Sequence, residues 1–274
     1  MAEEALKKET MVNVMDISLR FGGTVALNKV SLEIRDNELL ALIGPNGSGK
    51  TSMLNCITGY YRPQEGSIHF KGTQVVGQPP HKIATMGISR SFQKVELFTA
   101  LSVTDNLMVA RHNRMRQGVF SGSLFFGPAR DQEVKNRRIV EEVIDFMELE
   151  QVRKEPVGSL PYGLRKRIGV ARALAMEPEV LLLDEPMAGM NVEEKEDLVR
   201  FVLDIYKGAR FGYESKFLNR GVRCIVLIEH DMGIVMDIAQ RIAVLDFGVK
   251  IGEGSPREIV KNPKVIKAYL GEEV

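Results

Sequence analysis

Ala41-Leu42-Ile43-Gly44-Pro45-Asn46-Gly47-Ser48-Gly49-Lys50-Thr51-Ser52 is the stretch around which the rest of the chain is organised. Within it, Gly44, Gly49, Lys50 and Thr51 complete the pattern G-x-x-x-x-G-K-[ST]. An apolar, strand-like run from Leu39 to Ile43 leads in, and a helix-compatible run from Thr51 to Thr58 leads out. A phosphate cradle needs that context. Glycines let the backbone curl so that successive N–H groups point inward at phosphate oxygens. The helix behind the loop adds the positive end of its dipole. In such a cradle Pro45, Asn46, Gly47, Ser48 and Ser52 surround the phosphates together with the two glycines. Lys50 reaches the β- and γ-phosphates, and the Thr51 hydroxyl ligates Mg2+. An ordinary glycine-rich turn between strand and helix can carry the same letters, so the reading depends on partners elsewhere in the chain.

The 274 residues suffice for two domains or one large one, with an ample core. Lys and Arg number 37 against 36 Asp and Glu, a formal net charge of +1. That balance gives no electrostatic footprint for nucleic acid, and no nucleic-acid partner is expected. The opening Met1 to Thr10 is charged and lacks the apolar centre of a signal peptide. No apolar run approaches the ~20 residues that span a bilayer. A soluble chain is expected, with any membrane role exercised through a partner. Cys56 and Cys224 lie far apart in apolar surroundings without metal-ligand spacing, and read as buried thiols in a reducing cytoplasm.

Along the chain, Val12 to Leu19 and Val30 to Ile34 alternate apolar and polar, the period of half-buried strands. Between them lies the turn Arg20-Phe21-Gly22-Gly23. Phe21 either stacks on a flat ring such as adenine or closes the strand as a core residue. The residues alone favour the core. Gly66 to Phe70 reads as another strand, with His69 facing solvent, and His81 as a surface residue at a helix start. Ile88 to Phe92 is a buried strand ending at Gln93, just outside the carboxyl edge where α/β sheets bind ligands.

From about Leu97 to Arg165 strand signals vanish. Ser102-Val103-Thr104-Asp105 forms a capping box, and Val140, Val143, Ile144 and Met147 repeat at helical spacing. This segment reads as a helical insertion in an α/β chain. Its loop from Phe120 to Phe126 is apolar and glycine-containing, either a partner surface or a segment folded onto its own helices.

Val180 to Leu183 is a fully apolar run that ends in Asp184-Glu185. A strand buried on both faces reads this way, and its end delivers the acids to the ligand edge. Asp184 there holds Mg2+, directly or through water, while Glu185 serves as general base or orients water. A second buried strand, Cys224 to Ile228, ends in Glu229-His230-Asp231, and His230 can donate to a γ-phosphate or the attacking water. Ile242 to Gly252 reads as a hairpin, and Ser255-Pro256-Arg257-Glu258 as the cap of a short helix. Lys207 to Arg220 reads as an exposed loop or hairpin.

The ordered set Phe21, Gly44–Thr51, Gln93, Leu160-Pro161-Tyr162-Gly163-Leu164, Asp184-Glu185-Pro186 and His230 resembles the nucleotide-binding subunit of an ABC transporter over essentially the whole chain. The resemblance implies a P-loop NTPase core with an antiparallel β subdomain and an inserted α-helical subdomain. One nucleotide-binding domain then spans 1–274, with the α/β core at about 1–96 and 166–274 and the helical subdomain at about 97–165. It also assigns roles. Phe21 becomes the adenine-stacking aromatic, Gln93 a sensor of Mg2+ and of the membrane partner, Leu160 to Leu164 the signature with Leu160 and Gly163 at the nucleotide, Glu185 the catalytic carboxylate and His230 the switch histidine. Glu185, His230, Lys50 and Gln93 form the catalytic set, and Thr51, Gln93 and Asp184 the Mg2+ set.

Within that family the chain is most similar to the ATPases of branched-chain amino acid importers. Ser89-Arg90-Ser91-Phe92-Gln93, Ala188-Gly189-Met190-Asn191, Glu229-His230-Asp231-Met232 and Ala268-Tyr269-Leu270-Gly271 carry the similarity. Two features depart from the pattern. Pro161, Tyr162 and Leu164 stand where the signature usually reads Leu-Ser-Gly-Gly-Gln, and Lys207 to Arg220 is longer than in most relatives. The resemblance implies ATP and Mg2+ as cofactors and a second ATPase subunit, in a head-to-tail homo- or heterodimer. It also implies transmembrane permease subunits, an indirect link to a solute-binding protein, and a peripheral position on the cytoplasmic face of the inner (plasma) membrane. Pro161 offers neither hydroxyl nor N–H across the interface, which points to an asymmetric heterodimer with a related subunit. The ATPase of a lipopolysaccharide exporter and a soluble ABC-type regulator share the fold. Asn191 and the Glu229–Met232 string speak against the exporter, and the single ATPase unit against the regulator.

Overall fold

The computed structural model describes residues 9–91, 97–112, 128–211 and 221–270. Its N-terminal run is β1 (Thr10–Phe21), β2 (Thr24–Arg35), β3 (Glu38–Ile43), α1 (Lys50–Ile57), β4 (Glu65–Phe70), β5 (Thr73–Gln74) and α2 (Pro80–Met86). The middle run is β6 (Ile88–Ser91), α3 (Val103–Ala110), α4 (Pro128–Phe146), α5 (Tyr162–Leu174), β7 (Val180–Asp184) and α6 (Val192–Phe211). The chain closes with β8 (Cys224–Ile228), α7 (Met232–Ile238), β9 (Arg241–Asp246), β10 (Val249–Gly254), α8 (Pro256–Ile259) and α9 (Pro263–Leu270).

These elements fall into two compact units, Met1–Ile83 with Arg223–Val274, and Ala84–Val222. β6, α5, β7 and α6 thus belong to the same unit as the helices α3 and α4.

The first unit holds two sheets. One is antiparallel, in the order β2-β1-β4-β5, and is the expected β subdomain. The other runs β10-β9-β3-β8, with β3 parallel to both β8 and β9. Every residue of β3 and β8 is buried, which is why both read as unbroken apolar runs. Arg241 ties this unit together. Its guanidinium donates to both carboxylate oxygens of Glu38 at 2.7 Å, to the Glu33 carbonyl at 2.6 Å, and to Glu253. One cation thereby joins residues of β2, β3, β9 and β10. Burial alone would raise the Glu253 pKa, but Lys250 and Arg241 outweigh it and hold the carboxyl below its ordinary range.

In the second unit β6 and β7 pair in parallel, Ile88 opposite Val180 and Ser91 opposite Leu183. Ser102 caps α3 by accepting the Asp105 N–H at 3.1 Å, as the sequence predicts. Val140, Val143, Ile144 and Met147 are fully buried along one face of α4 and just beyond it. Arg111 links three segments, donating to Asn136 Oδ1, to the Ala175 carbonyl and to Glu177. Between 97 and 161 the described residues carry helices, 3-10 turns and a single isolated bridge, Ser102 to Pro156.

Two expectations change. Lys207 to Phe211 is not a loop but the last turn and a half of α6, because Leu198, Phe201, Val202, Ile205 and Tyr206 continue one buried helical face up to it. His69 is half-buried rather than solvent-facing, and its Nδ1 has no hydrogen-bond partner among the described residues. Both cysteines are buried thiols, and burial pushes Cys56 up to about 12. Gln93, residues 120–126 and residues 212–220 lie outside the described residues. No described helix is long and apolar enough to cross a membrane.

Candidate functional site

In the first unit β3 ends at Ile43 and the chain turns through the glycine-rich loop into α1. Gly44 and Gly49 take φ of +148° and +106°. A Cβ on Gly44 would fall 2.0 Å from the Leu245 carbonyl oxygen, and one on Gly49 2.6 Å from that of Ala26. Backbone on one side and left-handed geometry on the other leave only glycine at these positions. No side chain caps the N-terminus of α1. Ser48 is 2% exposed, and its hydroxyl has no hydrogen-bond partner among the described residues. A buried hydroxyl at the N-terminus of a helix without a side-chain cap suits an anionic oxygen. The loop therefore fits a polyphosphate.

Lys50 is buried, and its ammonium donates to the carbonyls of Gly44 at 2.8 Å and Pro45 at 2.9 Å. Thr51 is exposed and Ser52 half-buried on the first turn of α1. Pro45, Asn46, Gly47 and Ser48, together with Lys264 and Lys267 of α9, line a cavity of about 440 Å³. Tyr269 of α9 accepts the Gly44 N–H; burial raises the phenol's pKa, and that bond offsets it in part. Sequence reasoning gave Tyr269 no role, since only the fold brings α9 back to the loop.

Phe21 closes β1 but is 48% exposed, with its ring edge-on to Tyr61 at 5.0 Å between centroids. The core reading of Phe21 is thus corrected, and an open aromatic face remains. β8 lies parallel to β3, with Glu38 opposite Cys224 and Ala41 opposite Leu227. The phosphate loop and Glu229-His230 consequently leave the same edge of one sheet, the carboxyl edge at which such sheets take ligands. His230 is exposed, and its backbone N–H donates to Glu229 Oε2 at 3.2 Å. Asp231 caps α7 by accepting the Ile234 N–H at 3.4 Å.

In the second unit Asp184 is the last residue of β7 and is fully buried, with Glu185 following at half-burial. Arg90, on the neighbouring strand β6, donates to Asp184 Oδ2 at 2.5 Å with its side chain only 4% exposed. A buried carboxylate requires such a counter-charge. No local pattern marks this pair, because the two residues are separated by 94 positions. Glu185 takes φ of +48°. Leu160 is buried, Pro161 exposed, and Gly163 buried in the first turn of α5. Pro161 stands at the N-cap of α5 without a side-chain cap bond. Each unit thus brings together its own part of the expected set, Phe21, the loop and His230 in one, and Leu160, Gly163, Asp184 and Glu185 in the other.

A phosphate loop, a buried strand ending in two acids and a histidine at a parallel-sheet edge define an ATP-hydrolysing cassette. The chain belongs to the ABC transporter family, whose model matches residues 27–188, and residues 249–274 match the model described as branched-chain amino acid ATP-binding cassette transporter. Among curated proteins it is 39% identical to the high-affinity branched-chain amino acid transport ATP-binding protein LivG of Salmonella typhimurium over 267 residues, 96% of this chain and 99% of that protein. The corresponding protein BraF of Pseudomonas aeruginosa is 37% identical over 263 residues, 96% of this chain and 98% of that protein. A crystal structure of a nucleotide-free ATP-binding cassette from an ABC transporter superposes with a TM-score of 0.79 at 26% identity, covering 96% of this chain and 100% of the other.

Proposed function

We propose that this chain hydrolyses ATP to drive import of branched-chain amino acids, or of closely related amino acids or amides, through permease subunits. The observation that carries this reading is similarity to LivG and BraF along almost the full length of all three chains. The C-terminal match at 249–274 supports the same branch of the family over the exporter ATPase and the soluble regulator. The chain sits peripherally on the cytoplasmic face of the membrane, held there by its partners.

The chemistry is in-line attack of water on the γ-phosphate, and catalysis is mainly positioning and charge stabilisation. Lys50, Ser48 and the N–H groups of the loop and α1 hold the phosphate oxygens. Glu185 accepts the proton of the attacking water on its carboxylate. His230 donates to the γ-phosphate or to that water, and Phe21 offers its exposed face to adenine. Thr51, Asp184 and Gln93 would supply the oxygen donors for Mg2+, a donor chemistry that suits a small hard cation. When bound, Mg2+ neutralises charge on the phosphate oxygens. Gly163 and the N-terminus of α5 face the nucleotide held by the opposite subunit in a head-to-tail dimer. Pro161 lacks hydroxyl and N–H, so this chain brings fewer donors to that interface and pairs with a related ATPase rather than with itself.

Purification of the tagged chain with its partners from membranes tests this. Permease subunits and a second, different ATPase chain are expected, and leucine, isoleucine or valine with its binding protein should stimulate hydrolysis. Recovery with permeases and copies of itself alone would refute the heterodimer. Stimulation only by an unrelated solute would refute the solute class.

A further inference from the structure

We propose that Lys166 is a positioning residue for Glu185, acting from the signature helix through the Glu185 backbone carbonyl. The inference rests on the reading of Glu185 as the base. Lys166 lies in the second turn of α5 and is only 3% exposed. An ammonium so buried needs strong acceptors, and its Nζ donates to the Glu185 carbonyl oxygen at 3.0 Å. The same carbonyl accepts the Ala188 N–H at 3.3 Å. Glu185 meanwhile holds a left-handed φ of +48°, uncommon for a residue other than glycine. Returning Glu185 to an ordinary φ would rotate its Cβ and its carbonyl together about the N–Cα bond and carry the carbonyl away from both donors. The bond from Lys166 therefore fixes the peptide orientation, and with it the direction in which the Glu185 side chain leaves the backbone.

The neighbouring contacts make helix and loop one assembly. Tyr162, one turn before Lys166, presents its ring to that ammonium at 5.8 Å and lies against Gly189. Asn191 and Glu194 cap each other reciprocally, the Asn191 N–H to Glu194 Oε2 at 3.0 Å and the Glu194 N–H to Asn191 Oδ1 at 2.9 Å. The Glu194 carboxylate in turn packs on Gly163. The loop from Glu185 to Asn191 is thus gripped along its length by the first two turns of α5 and the first turn of α6. A merely structural lysine would stabilise the fold; a positioning lysine changes the chemical step.

The test compares Lys166→Met, which keeps bulk but no donor, with Lys166→Arg, in the wild-type and Glu185→Gln backgrounds. ATP affinity, thermal unfolding and single-turnover hydrolysis are measured for each. Lys166→Met is expected to lower the hydrolysis rate roughly 10- to 100-fold, the scale of one charge-assisted hydrogen bond, while ATP affinity moves less than about threefold. Lys166→Arg should recover most of the rate. In the Glu185→Gln background, Lys166→Met should cost less than about threefold further, since both act through one group. A full-rate Lys166→Met beside an inactive Glu185→Gln would overturn the positioning role, as would equal losses in the two backgrounds. An active Glu185→Gln would overturn the reading of Glu185 itself. Should Lys166→Met fail to fold, Lys166→Gln, whose head falls short of the carbonyl, is read in its place with the same outcomes.

Discussion

Glu185→Gln is expected to retain ATP binding and to lower steady-state phosphate release by roughly 10²–10⁴-fold, the usual contribution of a positioned base. The substitution preserves shape and one acceptor oxygen, so the loop beyond β7 should keep its form. What disappears is the basic oxygen that takes the proton of the attacking water. Asp184, one residue earlier, cannot substitute: it is fully buried and bound to the Arg90 guanidinium on β6. The measurement is phosphate release at saturating ATP alongside an equilibrium binding isotherm. Turnover close to wild type with normal affinity would remove Glu185 from the catalytic set.

Lys50→Ala should give the opposite pattern, a loss of affinity rather than of the chemical step alone. The ammonium is held at the Gly44 and Pro45 carbonyls, at the centre of the loop that fits the phosphates. Hydrogen bonds to charged groups contribute roughly 1.5–3 kcal/mol each. One lost phosphate contact then weakens ATP binding about 10- to 150-fold, and two weaken it more. AMP, which lacks the β- and γ-phosphates, should bind both forms alike. Equal affinity of both proteins for ATP would place Lys50 outside the phosphate cradle.

The phosphate loop was legible because its requirements are local. A strand, a run of glycines and a helix start follow one another, and the positive φ at Gly44 and Gly49 is a property of single residues. Asp184-Glu185 was legible for a similar reason, since an apolar run ending in acids reads as a doubly buried strand with its carboxyl end at a ligand edge. The hairpin of β9 and β10 and the Ser255 capping box likewise declare themselves over a few residues. Groups that act through distant partners stayed hidden. Arg90 looks like one polar residue in a short strand until Asp184 is placed beside it. Lys166 sits in a basic stretch, Arg165-Lys166-Arg167, in which nothing local sets it apart, yet it points inward to the Glu185 carbonyl. Phe21 misled in the other direction. Hydrophobicity places a strand-end phenylalanine in the core, whereas Tyr61 covers one edge and leaves the rest exposed. The helical end of α6 was missed because polar and glycine residues after Tyr206 mask the apolar period that precedes them.

The central claim is that hydrolysis at this chain's Glu185 drives branched-chain amino acid uptake. The direct measurement is accumulation of labelled leucine in proteoliposomes holding the assembled complex, with ATP on the side that carries this subunit and the binding protein on the other. ATP-dependent accumulation, competed by isoleucine and valine and abolished by Glu185→Gln, is the predicted result. Active hydrolysis with no accumulation of leucine, isoleucine or valine, or uptake undiminished by Glu185→Gln, would contradict it.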